Sequence, residues 1–300
     1  METITQPQNK KSLYKDFVAI TKARLSISVV VSTLAGYLLG FNDEQPFQWS
    51  VLLLLVVGGY CMVGASNVFN QIIEKDLDTL MDRTKNRPLP SGSMSKQFAF
   101  ILGTILTILG LIILYNVNPK TAMFGAISIF MYVSLYTPLK TVTPLSVFVG
   151  AFPGAIPFML GWVAATGYFG IEAGTLFIIQ FFWQFPHFWA IGWFLYDDYK
   201  KAGFFMLPTG KKDKKTALQT ILYTIWMILA SIIPAFGFTG NLILSKTAAV
   251  IVFLLGLWML FYAVQLHKQM DAKAARKLMI VSVSYISLLQ IIYVIDKFLR

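Results

Sequence analysis

Nine long apolar stretches restrict what this 300-residue chain can fold into. A helix needs about 20 apolar residues to cross a bilayer, whereas the strands of a membrane barrel are about half that length and alternate in polarity. Because only helices and closed barrels satisfy their backbone in lipid, the stretches predict an all-α membrane protein, a bundle of nine transmembrane helices. They cover approximately residues 25–40, 51–73, 98–114, 121–135, 144–164, 176–195, 218–238, 247–266 and 278–295.

The composition leaves little chain for anything else. Hydrophobic residues make up 56% of the sequence, charged residues 13%, and the mean hydropathy is +0.65, which excludes a large soluble domain. We expect a single transmembrane domain over residues 1–300, with a polar, flexible tail over residues 1–15. The one cysteine, Cys61, lies in an apolar stretch, so no intrachain disulfide forms. Pro153 and Pro157 predict a kink in the fifth helix.

The basic residues predict the orientation of the bundle. With the N-terminus in the cytoplasm, all but four of the 25 lysines and arginines fall on the cytoplasmic side. The exceptions are Lys120, Lys246, Lys297 and Arg300. By the positive-inside rule, the N-terminus is predicted to be cytoplasmic and the C-terminus to lie outside. Orientation explains most of the lysines, but it does not explain why carboxylates cluster among them.

The first acidic cluster begins at the end of the second predicted helix and extends beyond it. Asn70, Glu74, Asp78 and Asp82 are four residues apart and share one face if the helix continues. Like charges on one face repel, and oxygen ligands of this kind suit Mg²⁺, which also contacts substrate phosphates. The basic residues that follow, Arg83, Lys85 and Arg87, would bind the phosphate oxygens. The alternative is a solvated, salt-bridged helix end.

The second cluster follows the sixth helix, where Gln180, Gln184 and His187 precede Asp197 and Asp198. Both clusters lead into a similar phrase, Leu-Pro-Ser-Gly at 89–92 and Leu-Pro-Thr-Gly at 207–210. This weak internal repeat sets Asp197 against Asp78 and predicts two acidic faces across one cavity.

Acidic helix ends, basic loops and an apolar interior together predict a ligand class. Mg²⁺, arginine and lysine would hold a diphosphate, and an apolar tail would lie among helices rich in the 25 phenylalanines. Neutralising the charge that develops on the diphosphate promotes its departure. An allylic diphosphate fits this description.

The residues of the first cluster also carry a family resemblance. Asn70-x-x-x-Glu74-x-x-x-Asp78, followed by Arg83-Thr-x-Asn86-Arg87-Pro-Leu, resembles the first aspartate-rich motif of the UbiA-type intramembrane prenyltransferases, which have nine helices. Most of that superfamily has aspartate in place of Gln71 and Glu74. This departure points to one branch of the superfamily. Together with the segments at 136–144, 185–191 and 196–208, the sequence is similar to the branch that farnesylates haem.

The resemblance implies a reaction and a set of site residues. The farnesyl group of farnesyl diphosphate would pass to the 2-vinyl group of haem B with addition of water, giving haem O and diphosphate. Mg²⁺ would be held by Asn70, Glu74 and Asp78, and by Asp197 or Asp198. Lys201 stands where the superfamily's second motif has another aspartate. The diphosphate-binding cations would be Arg24, Arg83, Arg87, Lys140 and Lys201. His187 would contact haem through the iron or a hydrogen bond, and Lys22 would contact a propionate. Arg24 and Lys140 are also available to the propionates, so the division of these cations between propionate and diphosphate stays open.

Two alternatives and a location complete the sequence-based picture. A prenyltransferase with another acceptor, such as a quinone precursor, would share the first motif. A secondary transporter would also contain intramembrane polar residues, but usually at the midplane rather than at one face. The N-terminal residues do not resemble a transit peptide or a cleavable signal. We expect a bacterial plasma membrane, a site open to the cytoplasm, and a haem A synthase or terminal oxidase assembly as a partner.

Overall fold

A computed structural model describes residues 13–42, 44 and 46–300, and all regular structure in these ranges is helical. Of the predicted polar tail, residues 13–15 belong to the first helix and the rest lies outside the described residues. The helices are α1 (Leu13–Ile20), α2 (Ala23–Gly40), α3 (Trp49–Ile73), α4 (Lys75–Asp78), α5 (Lys96–Tyr115), α6 (Pro119–Phe130), α7 (Thr137–Leu139), α8 (Ser146–Thr166), α9 (Ile171–Phe194), α10 (Tyr196–Lys201), α11 (Lys214–Ile232), α12 (Lys246–Gln269) and α13 (Ala272–Leu299). A π-helical segment, Met131–Tyr136, joins α6 to α7, and a 3₁₀ turn, Ile233–Phe236, ends α11.

Eight helical segments in the described part of the chain are long and apolar enough to cross a membrane. Their outward faces expose large apolar side chains such as Phe100, Ile108 and Leu254, as lipid contact requires. The prediction of an all-α, multi-pass membrane protein is therefore confirmed. The remaining predicted span, α9, has 24 residues and contains the polar residues Gln180, Gln184 and His187.

The central helices pack closely around α8 and α9. α8 contacts α2 and α9, while α9 also contacts α11 and α13. A side chain on Gly36 of α2 would collide with the Phe158 carbonyl, and one on Gly161 of α8 with the Thr33 carbonyl. Glycine therefore allows these two backbones to touch, a common device where membrane helices cross. α8 is assigned as one uninterrupted helix through both of its prolines.

Local sequence signals explain where several helices begin. Ser95, Asn118, Asp213, Ser245 and Asp271 are N-caps, and each side chain accepts a hydrogen bond from the backbone N–H three residues later. Such caps satisfy N–H groups that have no partner within the helix and contribute about 1 kcal/mol each.

The spanning helices alternate in direction, so their ends collect at two opposite faces of the bundle. At one face, Lys140 beside α7 pairs with Glu74 at the end of α3. At the other, Lys120 at the start of α6 donates to the carbonyl of Gly167 after α8. This arrangement brings the acidic and basic loops of the sequence to the same end of the bundle.

Candidate active site

The bundle contains a partly open cavity of about 940 Å³ that reaches from this acidic and basic end into the apolar interior. Its walls come from α2, α3, the π segment, α8, α9 and α13. Apolar side chains dominate the part between α2 and α13, including Leu34, Ala35, Ile286 and Val294. The cavity therefore combines a charged end with an apolar body, as a diphosphate with an apolar tail requires.

Three members of the predicted acidic stripe line the cavity and the fourth does not. α3 ends at Ile73, but the Glu74 N–H still donates to the Asn70 carbonyl at 2.9 Å, and the Asp78 N–H to the Glu74 carbonyl at 2.8 Å. The four-residue spacing therefore keeps these three side chains in the cavity wall. The predicted continuation to Asp82 is wrong, because the helix ends after Asp78 and Asp82 is exposed.

Each carboxylate of the stripe is paired with a cation from a later part of the chain. Lys140 Nζ donates to Glu74 Oε1 at 2.7 Å. Arg87 Nη1 contacts both oxygens of Asp78, at 2.9 and 2.7 Å. The carboxylates are nearly inaccessible, with side-chain exposures of 5% for Glu74 and 0% for Asp78. Buried charges require such partners, so each pair places a basic group against a carboxylate inside the bundle.

The elbow between α1 and α2 presents one further cation. Lys22 has a left-handed φ of 47°, which is uncommon for a residue other than glycine. Two amides of α3 hold this elbow. Gln71 Nε2 donates to the Ile20 carbonyl at 2.7 Å, and Asn67 Nδ2 to the Thr21 carbonyl at 3.3 Å. Gln71 therefore faces α1 rather than the cavity, which gives this departure from the superfamily pattern a positioning role.

Lys22 lies among the acidic residues. Its Nζ donates to Asn70 Oδ1 at 3.3 Å. Burial, followed by the charges of Arg87 and Lys140, lowers the pKa of Lys22 to about 7. The structure thus places Lys22 with the predicted diphosphate-binding residues, although the sequence assigned it to a haem propionate.

Positive charge exceeds negative charge at this end of the cavity. Four basic side chains line it against two carboxylates, and the excess remains even with Lys22 uncharged: Lys22, Arg83, Arg87 and Lys140 against Glu74 and Asp78. A site with this excess attracts an anion, and arginine and lysine donors match phosphate oxygens.

Sequence reasoning missed the part played by the π-helical segment. Thr137 N–H donates to the Tyr132 carbonyl, five residues back, and Pro138 follows without an N–H of its own. Thr137 Oγ1 accepts from Asn70 Nδ2 at 3.2 Å, which directs the other end of that amide towards Lys22. Tyr132 and its neighbour Tyr136 line the cavity beside the acids. The proline was the available signal, since π segments often occur at functional sites.

Asp198 connects the two acidic clusters from outside the cavity. Its carboxylate accepts from the backbone N–H groups of Asp82 at 2.9 Å and Arg83 at 3.4 Å. Lys201 donates to Asp82 at 2.5 Å and to Asp198 at 3.4 Å. The hydrogen bond from Lys201 lowers the pKa of Asp82 to about 2. These hydrogen bonds among Asp82, Asp198 and Lys201 thus hold the loop that carries Arg83 into the cavity.

The predicted acidic face opposite Asp78 does not form. Asp197 is 85% exposed and pairs with Lys212 at 3.3 Å, because it lies on the face of α10 that is turned away from the cavity, which Tyr199 of the same helix lines. Asp198 faces the loop after α4, as described above. Arg24 is exposed on α2, and neither it nor Lys201 lines the cavity.

The two segments of the weak repeat, 89–92 and 207–210, nevertheless have the same backbone conformation. Gly92 donates its N–H to the Leu89 carbonyl, and Gly210 to the Leu207 carbonyl. Both glycines have positive φ, 75° and 74°, and both leucines are 1% exposed. The two phrases therefore form matching turns, while the acids that precede them point to different surroundings.

His187 lines the cavity from α9 and stacks on Trp183, with ring centroids 4.7 Å apart. Its Nδ1 lies 2.7 Å from Ser282 Oγ in α13. The Ser282 hydroxyl donates its one hydrogen to the Met279 carbonyl at 2.6 Å, so we assign the imidazole hydrogen to Nδ1. The neutral ring then carries a lone pair on Nε2, which makes no hydrogen bond to residues 13–42, 44 or 46–300. An imidazole in this form is a metal ligand.

The acidic stripe offers oxygen ligands for Mg²⁺. Across the described ranges, no group of three or more histidine, cysteine, aspartate or glutamate side chains is arranged to hold a metal without further ligands. Asn70, Glu74 and Asp78 supply one amide and two carboxylates to the same cavity. Mg²⁺ is usually bound by one or two carboxylates together with water and substrate phosphates. The residues present therefore fit a divalent cation whose coordination a diphosphate completes.

Comparison with known proteins places the chain in a family. Residues 29–289 match the UbiA prenyltransferase family. The protoheme IX farnesyltransferase of Flavobacterium johnsoniae is 72% identical over 290 residues, 97% of either chain. A solved structure of digeranylgeranylglyceryl phosphate synthase has a TM-score of 0.77 at 18% identity, covering 94% of this chain and 98% of its own. A UbiA homologue from Archaeoglobus fulgidus bound to GPP and Mg²⁺ has a TM-score of 0.65 at 15% identity, covering 93% and 99%. The chain therefore belongs to the UbiA prenyltransferase family, on the branch of the protoheme IX farnesyltransferases.

Proposed function

We propose that this membrane prenyltransferase transfers the farnesyl group of farnesyl diphosphate to the 2-vinyl group of haem B, with addition of water, giving haem O and diphosphate. The observation that carries the proposal is the single cavity that joins a cationic, acid-lined end to an apolar body containing His187. Relatives on the same branch are named for this reaction. The charged end would take the diphosphate, and the body would take the farnesyl chain and the porphyrin.

Asn70, Glu74 and Asp78 are the proposed ligands of Mg²⁺. A bound divalent cation would neutralise charge on the diphosphate as its bond to farnesyl carbon 1 breaks. The homologue from A. fulgidus bound to GPP and Mg²⁺ supports this choice of metal. Lys22, Arg83, Arg87 and Lys140 line the same end and would bind the phosphate oxygens. Asp198 acts on the site by holding the loop of Arg83.

The protein's aromatic groups would stabilise the farnesyl cation. Tyr132 and Tyr136 line the cavity, and Lys140 Nζ already lies 4.5 Å from the Tyr136 ring centroid. Aromatic faces attract cations, and the attraction is stronger away from water. The apolar walls also exclude bulk water, which protects the cation from capture before the vinyl group reacts.

Purified protein in detergent should convert haem B and farnesyl diphosphate into a more apolar haem. The product mass should exceed that of haem B by one farnesyl group plus water, and its formation should require Mg²⁺. Reversed-phase chromatography with mass spectrometry measures this directly. If the folded protein consumed farnesyl diphosphate only with quinone precursors, the acceptor would be a quinone precursor rather than haem. No consumption with any acceptor would contradict the prenyltransferase reaction.

We also propose nine membrane spans, with the N-terminus and the cationic end of the cavity in the cytoplasm of a bacterial cell. The charge asymmetry supports this orientation, because all but four of the 25 lysines and arginines belong to segments predicted on the cytoplasmic side. Lys246 at the start of α12 and Lys211 before α11 lie at opposite faces. In a Cys61→Ala background, Lys246→Cys should react with an impermeant maleimide added to intact cells, whereas Lys211→Cys should react only after lysis. The reverse pattern would invert the topology.

A further inference from the structure

Three polar side chains from three helices meet in the wall of the cavity. Gln290 Nε2 in α13 donates to Ser32 Oγ in α2 at 3.0 Å and to Gln180 Oε1 in α9 at 3.4 Å. Ser32 Oγ is also 3.4 Å from Gln290 Oε1. All three line the cavity and lie within helices at membrane depth. Polar groups at this depth cost free energy, and those that occur there usually have a function.

The cluster leaves one strong donor without a protein partner. The Nε2 group of Gln180 makes no hydrogen bond to any residue that the structure describes, although the side chain is only 6% exposed. Gln290 and Ser32 satisfy mainly each other. Gln180 lines the cavity, so the partner of this N–H group must come from the cavity itself. A water molecule in the cavity would satisfy it, because a bound water needs two to four polar neighbours and the cluster supplies donors and acceptors together.

The cluster shares its helix face with His187. Gln180 and His187 are seven residues apart on α9, two helical turns, or about 10 Å along the axis. Both line the same cavity. A porphyrin bound at His187 with one edge directed along this face of α9 would bring that edge towards the polar cluster.

The proposed reaction consumes one water at that edge. The terminal vinyl carbon forms a bond to farnesyl carbon 1 while the bond from that carbon to the diphosphate oxygen breaks. The inner vinyl carbon is left as a cation. Water then bonds to it through oxygen and gives one proton to the released diphosphate, which yields the hydroxylated product. If water is misplaced, the cation instead loses a proton from the neighbouring carbon and an alkene results.

We propose that Gln180, Gln290 and Ser32 bind the water molecule that is added to the haem side chain. This inference rests on the proposed function and goes beyond it, because it assigns the source of the hydroxyl oxygen to a site in the cavity wall. The three residues are positioning residues that hold the nucleophile. They decide the fate of the cation after the carbon–carbon bond has formed.

A purely structural role makes a different prediction. Hydrogen bonds between membrane helices also stabilise their packing. Loss of such a contact would lower the yield of folded, active protein but leave the ratio of hydroxylated to alkene product unchanged. The product ratio therefore separates the two roles, whereas total activity does not.

The test uses Gln180→Leu and Gln290→Leu in the full-length protein, with haem B, farnesyl diphosphate and Mg²⁺. Mass spectrometry separates hydroxylated farnesyl haem from the alkene, which is lighter by one water. We expect the ratio of hydroxylated product to alkene to fall roughly tenfold in each variant, as loss of one hydrogen bond to the nucleophile predicts. Reaction in H₂¹⁸O should label the hydroxyl group. Gln265→Leu on α12, whose side chain does not line the cavity, is the matched control and should keep the original ratio.

An unchanged ratio in both leucine variants would overturn the proposal, whether total product is retained or reduced. Ser32→Ala provides a milder change if a leucine variant does not fold, and it should shift the ratio in the same direction. Failure of the unmodified protein to farnesylate haem would contradict the proposed function itself. That result is distinguishable because no farnesylated haem of either kind would then form.

Discussion

Glu74→Gln and Asp78→Asn should each reduce farnesyl transfer by roughly 100- to 1,000-fold, the usual effect of removing one preorganised electrostatic group from an active site. Each change removes a carboxylate that lines the charged end of the cavity while nearly preserving side-chain volume. The loss should appear as a lower rate at saturating farnesyl diphosphate and a higher Mg²⁺ requirement. Initial rates over a series of Mg²⁺ concentrations measure both effects.

The structure supplies two controls for this prediction. Asp76→Asn alters an exposed acid of the same segment that lies outside the cavity, and its activity should stay close to that of the unmodified protein. Glu74→Gln also leaves the buried Lys140 ammonium without its partner, which costs about 3–5 kcal/mol of stability. Adding Lys140→Met should recover stability without recovering activity. Activity that returns in the double variant would show that Glu74 is needed only to balance charge.

His187→Ala should weaken haem B binding by roughly 100-fold or more and shift the Soret band of the bound haem. The Nε2 lone pair of His187 is the proposed contact to the iron, and no second histidine lines the cavity. Titration of haem B into purified protein, followed by absorbance, gives the affinity and the ligation state in one experiment. Farnesyl diphosphate binding should change little, because the cationic end does not include His187.

Two further variants sharpen the interpretation of the histidine. Ser282→Ala removes the acceptor that fixes the Nδ1–H tautomer, and should weaken haem binding by about 10- to 100-fold. Its carbonyl still accepts from Trp183 Nε1, so packing at this point is retained. His267→Ala changes the other histidine of the chain, at the end of α12, and should leave the Soret band unaltered. Unchanged affinity and spectrum in His187→Ala would exclude a contact between His187 and haem.

Helical periodicity explains why part of the site could be predicted. Asn70, Glu74 and Asp78 are neighbours on one helix face, and spacing along one helix is a local property of the sequence. The same reasoning failed at Asp82, because the point where a helix ends depends on contacts made elsewhere, here the bonds from its loop to Asp198.

The identity of the charge partners was not available from local spacing. Glu74 pairs with a lysine 66 positions later, and His187 with a serine 95 positions later. The repeat had paired Asp197 with Asp78 by alignment, but an alignment contains no information about which residues of a short helix such as α10 face the cavity. The water-binding cluster likewise combines α2, α9 and α13 and has no sequence motif.

By itself the sequence determined an α-helical membrane bundle, since lipid offers no other partner for the backbone of such apolar stretches. It also determined which family the chain resembles, because the Asn70 to Asp78 series and its arginines lie in one continuous segment. Tertiary structure decided which cations bind those acids, which nitrogen of His187 is free, and which acids remain outside the cavity. These outcomes depend on how closely helices approach, as at Gly36 and Gly161, and close packing couples residues that are far apart in the chain.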